Sequence, residues 1–413
     1  MKLKLLFVLG ALFFTLTVSA QWLQRANFPG TARAKATAFT IGDKIYVMGG
    51  VSNSNVVLHD FWQYDIPSNT WTAKPNFPGP ERYGATSFVI NNKGYISTGG
   101  NDFGYLDDLW EFDPVASTWT QRTGLPAGSA QHENQRREAY AFTIGTKGYL
   151  GGGDGWVFGA NSTNPYAFFD IWEYDPVFDS WSQKADIPDF IGRDFSIGVA
   201  MNNKGYVGLG CNVDQNQNHP GFWEYDPVSN TWTSRATFPT NFVTDAGAFV
   251  LNSALYVVGG VNLAPVSLSN QVYKYDPVAD SWTQLSNFNG GAVAGEFAVS
   301  TGTSAFEGTG YNGNIVARND LWEINFTTNI GETGFPGSDG ISVFPNPASD
   351  RIHVNVNSGF STTGYSILDI SGREILSGTL FQDKSTITLN KLPSGLYLLK
   401  LKDRTQTFKF MKK

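Results

Sequence analysis

The sequence predicts an all-β chain, in which one four-strand unit is written again and again before a smaller β-sandwich. Three observations carry this reading. Tryptophan recurs at Trp22, Trp71, Trp119, Trp181, Trp232 and Trp282, with spacings of 49, 48, 62, 51 and 50 residues. A turn precedes most of them, as Asp65-Ile66-Pro67, Asp113-Pro114, Asp175-Pro176, Asp226-Pro227 and Asp276-Pro277. A paired glycine recurs as Gly49-Gly50, Gly99-Gly100, Gly152-Gly153 and Gly259-Gly260, and reads as degenerate at Gly210-Cys211 and at Gly308/Gly310. Nothing in the unit keeps a helical period, whereas large residues alternate with polar ones between Gly and Asp-Pro punctuation.

Residues 93–121 (KGYISTGGNDFGYLDDLWEFDPVASTWTQ) show the unit whole. Each copy opens with a strand of small and apolar residues (36–41, 85–90, 139–144, 246–251). A second strand ends on the glycines, a third carries the Trp/Tyr alternation, and a fourth carries the closing Trp. Repeats of this length are the mark of propeller blades. These linked features closely resemble the kelch motif, a four-stranded blade, over roughly 21–328. The resemblance implies a six-bladed β-propeller in which glycines allow close backbone approach near the axis and Tyr and Trp pack between blades. The sixth copy has a third strand at 320–323 but no closing Trp. Residues 22–29 (WLQRANFP) match 71–78 (WTAKPNFP) position for position. The N-terminal segment is therefore expected to supply the missing fourth strand and leave no open sheet edge.

Residues 1–20 hold Lys2, Lys4, an apolar run and a small-residue site at Val18-Ser19-Ala20, which reads as a signal peptide cleaved before Gln21. That run is shorter than the roughly 18–20 residues a span needs, and no later segment is a transmembrane candidate. The lone Cys211 excludes an internal disulfide, so stability must come from a core that 41% hydrophobic and 15% aromatic residues can supply. The chain carries −7, with +2 in residues 1–20 and +5 in 341–413, which leaves −14 between them. Such acidity disfavours nucleic acid or an anionic membrane as partner of the propeller.

Residues 328–340 are rich in Gly and Thr and read as a linker. The expected organisation is a signal peptide at 1–20, a propeller at 21–329, a linker at 330–340 and a second domain at 341–413. By pattern the last is a small, immunoglobulin-like sandwich of about seven short strands. Its Phe344-Pro345-Asn346-Pro347 opening, Asp369-Ile370-Ser371-Gly372-Arg373 turn, Pro393-Ser394-Gly395-Leu396-Tyr397 strand and basic end resemble the C-terminal sorting domain of the type IX secretion system of Bacteroidota. The resemblance implies passage across the outer membrane by that machinery, then release or surface attachment.

Propellers place function on one face, in the loops joining second to third strands and fourth strands to the next first strands. Arg33, Arg82, Arg136 and Arg193 stand at one aligned position in copies one to four, where copies five and six have Val243 and Val293. Arginines ringing an acidic channel could hold a carboxylate or sugar acid through bidentate bonds. The alternative is that they pair with loop carboxylates or backbone carbonyls. Phe103, Tyr105, Trp156, Phe158, Tyr166 and Phe190 lie in the loops, where flat apolar faces suit sugar or peptide; packing between loops is the competing reading. Asp60, Asp108, Asp170 and Asp320 each precede a Trp by two residues, and their repetition argues for hydrogen-bond caps rather than catalysis.

Catalytic signatures are sparse. His59, His132 and His219 sit in different loops without metal-ligand spacing, and His353 lies in the second domain. No phosphate loop, nucleophile elbow or HExxH occurs. Galactose oxidase is kelch-like, but its chemistry needs a Cys–Tyr cross-link and histidine ligands. A closer analogy is the six-bladed sialic-acid mutarotase family, which this chain resembles in blade number and export; Glu138, Asp194, Asp245 and Glu296 are then candidates for acid–base work near the inner-strand starts. The expected protein is exported, without cofactor or metal, monomeric, and a non-catalytic binder of glycan or protein through its loop face. A mutarotase-like enzyme is the alternative, and a structural part of a surface adhesion assembly the third reading.

Overall fold

A computed structural model describes residues 21–126, 134–156, 165–189, 191–212, 217–325, 341–344, 348, 350–356, 363–369, 372–380, 384–390, 392–402 and 407–412. The expected signal peptide and linker, His132, Phe158 and Phe190 lie outside them, as does the side chain of Trp156. The chain divides into two compact units, Ser19–Thr327 and Thr328–Lys413.

The described residues of the first unit form six four-stranded antiparallel sheets, with short two-stranded ribbons beside them. In the first sheet Thr37–Ile41, Lys44–Met48, Phe61–Asp65 and Thr70–Lys74 lie side by side in chain order. The innermost strands Thr37–Ile41, Thr86–Ile90, Tyr140–Ile144, Ile197–Met201, Gly247–Leu251 and Phe297–Ser300 touch in sequence, and the last touches the first. The sheets are thus blades of a closed ring. In the sixth blade the outer strand is Gln21–Gln24, paired antiparallel with Leu321–Asn325 so that Trp22 faces Ile324.

A clamp recurs between blades. The turn before each closing Trp holds a left-handed residue, the conformation that Asn and Asp tolerate best. Asn69, Asp179, Asn230 and Asp280 take it. Each accepts a tyrosine hydroxyl (Tyr64, Tyr174, Tyr225, Tyr275) and a main-chain N–H of the preceding blade (Ala26, Thr123, Ala185, Ala236). The indoles of Trp71, Trp181, Trp232 and Trp282 donate to the carbonyls of those same four residues. The second blade has lost every partner at once, with Phe112 for the Tyr, Ser117 in the turn and Pro75 for the N–H. The indole N–H of Trp119 is buried there without an acceptor among the described residues.

The structure corrects the register of the glycine pair. The N–H groups of Gly50, Gly99, Gly153, Gly210, Gly260 and Gly310 make the same bond to the neighbouring blade's loop, so these are the equivalent residues. Their φ angles run from 84° to 104°. A Cβ there would lie 2.4–3.1 Å from a main-chain oxygen, so only glycine fits. The preceding position, also left-handed, holds Gly49, Thr98, Gly152, Leu209, Gly259 and Thr309. Gly100 and Cys211, read from sequence as second members of the pair, stand one residue further on.

The second unit has a three-stranded sheet of Ile341–Phe344, Arg351–Val356 and Lys384–Thr388. Its four-stranded sheet orders Glu374–Leu380, Thr363–Leu368, Gly395–Leu401 and Thr407–Lys412. Alternate residues of both sheets, including Ile352, Val354, Ile367, Leu399 and Phe410, build one core.

Candidate functional site

Two residues before each innermost strand the chain turns left-handed, at Lys35, Gly84, Glu138, Phe195, Asp245 and Gly295, with φ between 51° and 65°. Four of these are not glycine, and each such residue costs on the order of 1 kcal/mol. Bonds around the axis offset that cost. Lys35 N–H donates to Gly295, Gly84 to Lys35, Glu138 to Gly84, Asp245 to Phe195 and Gly295 to Asp245. Side chains of this ring line an axial cavity of about 140 Å³ on the loop face.

The Lys35 ammonium lies in this cavity 2.9 Å from Glu138 Oε1 and 3.0 Å from Asp245 Oδ2. It stands 3.9 Å from the centre of the Phe195 ring. Burial works against its charge, but the two carboxylates outweigh burial and hold its pKa above the usual lysine value. Burial, with the Asp245 charge, pushes Glu138 up against the pull of Lys35. Gly84 makes room for the arrangement, since a Cβ there would meet Glu138 Oε1 at 2.5 Å.

Blade six brings further charge to the axis. Glu296 lines the cavity where the other blades place Ala36, Ala85, Ala139, Ser196 and Ala246. Glu307 replaces the core aliphatics Val47, Ile96, Leu150, Val207 and Val257. Arg318 bonds Glu307 at 3.2 Å and Asp320 at 2.8 Å. One oxygen of Glu296 accepts the Gly247 N–H at 2.9 Å, whereas Oε2 is buried without a partner among the described residues. Burial raises Glu296 to about 8. Asp194, fully buried beside Phe195, accepts the Cys211 thiol at 3.0 Å, and its Oδ2 lacks a partner among the described residues. Burial lifts it to about 7, with the Cys211 hydrogen bond opposing and the Asp154 charge adding.

Three of the four carboxylates picked out from sequence thus share one cavity, and Asp194 stands next to its wall. Lys35 was missed, although it occupies the ring position of Glu138 and Asp245. Glu307 was missed too, although an acid at a core-aliphatic position of a repeat is a visible departure.

The arginines lie elsewhere, and the expectation that they ring the channel is corrected. Arg33, Arg82 and Arg136 are fully buried and grip Asp60, Asp108 and Asp170 by paired bonds of 2.6–2.9 Å. Each also donates to the carbonyl of Gly49, Thr98 or Gly152. The same aspartates accept the indoles of Trp62, Trp110 and Trp172. In blade four Gly221 stands where Asp would be, and Asp189 of the preceding loop bonds both Arg193 and Trp223 instead. In blade five Arg, Asp and Trp become Val243, Gln271 and Tyr273 together. None of the four arginines lines the axial cavity.

A second cavity, of about 290 Å³, lies on the loop face of blade two, walled by Pro80, Glu81, Asn101, Phe103, Gly104, Tyr105 and Leu106. Phe103 is 90% exposed at its edge. Tyr105 is nearly buried, donates to Asp154 Oδ2 at 3.0 Å, and lies under the Arg137 guanidinium. Tyr166 packs edge-on against Phe168. Among the described residues no group of three or more His, Cys, Asp or Glu could hold a metal ion, and no helix is long and apolar enough to cross a membrane.

The six closed blades define a kelch-type propeller. Comparison supports that class. The KLHDC2/KLHL20/DRC7 Kelch-repeats domain model matches residues 11–190, the Kelch motif model matches 243–289, and the Secretion system C-terminal sorting domain model matches 342–413. This is a kelch-repeat protein with a C-terminal secretion sorting domain, which directs it to the cell surface or the medium. Among solved structures it is similar to "Structure of YjhT", at 18% identity and a TM-score of 0.61, over 74% of this chain and 98% of that one. That likeness shows the fold. No curated protein matches.

Proposed function

We propose that the protein is an exported binding protein that recognises glycan or protein through the propeller loop face. The observation that carries this is the apolar cavity of blade two, with Phe103 90% exposed beside Asn101 and Glu81. An exposed aromatic face flanked by polar groups stacks on a sugar ring or takes a peptide side chain. Tyr105 forms the floor and is held in place by Asp154. The axial carboxylates Glu138 and Asp245 are tied to Lys35, a restraint that suits recognition better than proton shuttling. The basic sorting domain is the handle for the type IX machinery.

The test is a glycan array probed with the mature protein, alongside the same protein carrying Phe103→Ala. Saturable binding that weakens about tenfold or more in the variant supports the reading. Binding indifferent to Phe103 on every glycan and protein probe overturns it.

One observation favours the second reading, acid–base chemistry of the mutarotase type. Glu296 lines the axial cavity, holds its proton to about pH 8 and keeps one oxygen unpaired among the described residues. A carboxyl so tuned can donate and accept near neutrality. Anomer exchange of reducing sugars, followed by NMR and abolished by Glu296→Gln, would establish that reading in place of the first.

A further inference from the structure

We propose that the axial cavity receives the ammonium end of a small ligand bearing a primary amine, such as an amino sugar, and that Lys35 is its intramolecular competitor. The inference rests on the loop face being the recognition face and names the chemistry taken at its centre.

The cavity already contains one ammonium. Lys35 Nζ has Glu138 Oε1 at 2.9 Å, Asp245 Oδ2 at 3.0 Å and the Phe195 ring at 3.9 Å. Two carboxylates and one π face meet the three N–H directions of a primary ammonium. A quaternary ammonium has no N–H to give the carboxylates, and a planar guanidinium does not present three diverging donors.

Lys35 leaves the site under-neutralised. One ammonium stands against the two carboxylates of Glu138 and Asp245, and the Glu296 carboxyl adds to the same wall an Oε2 that is buried and unpartnered among the described residues. Unpaired polar atoms in such a place are costly unless something meets them. About 140 Å³ remains around Lys35, several times the roughly 30 Å³ that one water occupies in the liquid. Lys35 reaches the cage on a flexible four-carbon stem, while the main chains of Glu138 and Asp245 are locked by their bonds to Gly84 and Phe195. The lysine is therefore the part able to yield. An incoming ammonium takes its place, and the Lys35 head moves towards solvent. The same charge pattern repels a sugar acid, whose carboxylate would face those of Glu138 and Asp245.

The test uses the mature full chain at pH 7 and isothermal titration with glucosamine, against N-acetylglucosamine and glucuronate. Saturable binding of glucosamine alone is expected. Asp245→Asn should weaken it about tenfold, the cost of one charge-assisted bond. Lys35→Met, which keeps the stem and removes the competitor, should tighten it by about tenfold. Equal binding of glucosamine and N-acetylglucosamine, no binding of either, or Lys35→Met leaving affinity unchanged or weaker, overturns the proposal. Should the Lys35→Met protein fail to fold, thermal melts of Lys35→Ala decide. A rise in melting temperature with n-butylammonium that tetramethylammonium does not reproduce supports the cage, and equal effects refute it. Glycan binding that still depends on Phe103 while amines fail would sink this inference alone. Loss of both would count against the loop face itself.

Discussion

Asp189 accepts hydrogen bonds from both Arg193 and the indole of Trp223, although it sits in a loop where the first two copies have Gly30 and Gly79. In blades one to three those two bonds belong to Asp60, Asp108 and Asp170. Blade four has Gly221 there, so the carboxylate comes from outside the strand. Blade six solves the opposite problem, with Val293 in place of Arg and Arg318 brought to Asp320. In both blades the buried charge is paired from a loop position that carries no charge in blades one to three.

Removing Asp189 leaves the Arg193 guanidinium, 2% exposed, without its carboxylate. Asp189→Ala should cost about 3–5 kcal/mol in urea unfolding. Adding Gly221→Asp to that variant restores the arrangement of the other blades and should recover more than about 1 kcal/mol. Strict additivity of the two changes would contradict this account.

The clamp missing from blade two can be written in. Ser117→Asn supplies a left-handed acceptor and Pro75→Ala supplies the N–H that it takes in other blades. Together they should stabilise the protein by about 1 kcal/mol more than the sum of the singles. The converse change, Asn230→Ala, should cost about 1–2 kcal/mol by breaking bonds to Tyr225 and Ala185. Melting curves of the five proteins decide both points.

Much of this fold was legible because the repeat is written in residues whose job is unique. The closing Trp, the Asp-Pro turn and the alternating third strand have no substitutes that do the same work. The match of 22–29 to 71–78 has its counterpart in strand Gln21–Gln24. The glycine register was not legible by identity, since Thr98, Leu209 and Thr309 adopt the left-handed conformation that glycine holds elsewhere. The axial carboxylates could be named from their place before the inner strands. The arginine quartet misled because a repeated charge looks like a ring of ligands, whereas each is consumed by its own blade. Lys35 escaped notice because its partners, Glu138 and Asp245, lie 103 and 210 residues away.

Stability should fall as pH rises from about 5 to 8. Asp194 is raised to about 7 and Glu296 to about 8, so the folded protein holds protons that the unfolded chain releases near pH 4. The folded state binds more protons across this window, and raising the pH therefore favours unfolding. The loss is on the order of a few kcal/mol. Asp194→Asn and Glu296→Gln should each flatten the decline, and urea titrations at pH 5, 6.5 and 8 measure it. Stability that is level or rising over this range would show that neither carboxyl is held protonated.

The most direct measurement is a titration of the mature protein, Phe103→Ala and Glu296→Gln with the strongest hit from a glycan array, with sugar anomer exchange followed in the same samples. A binding protein predicts affinity weakened about tenfold or more by Phe103→Ala, with exchange at the uncatalysed rate in all three. Accelerated exchange that disappears in Glu296→Gln would contradict it and make the axial cavity an active site.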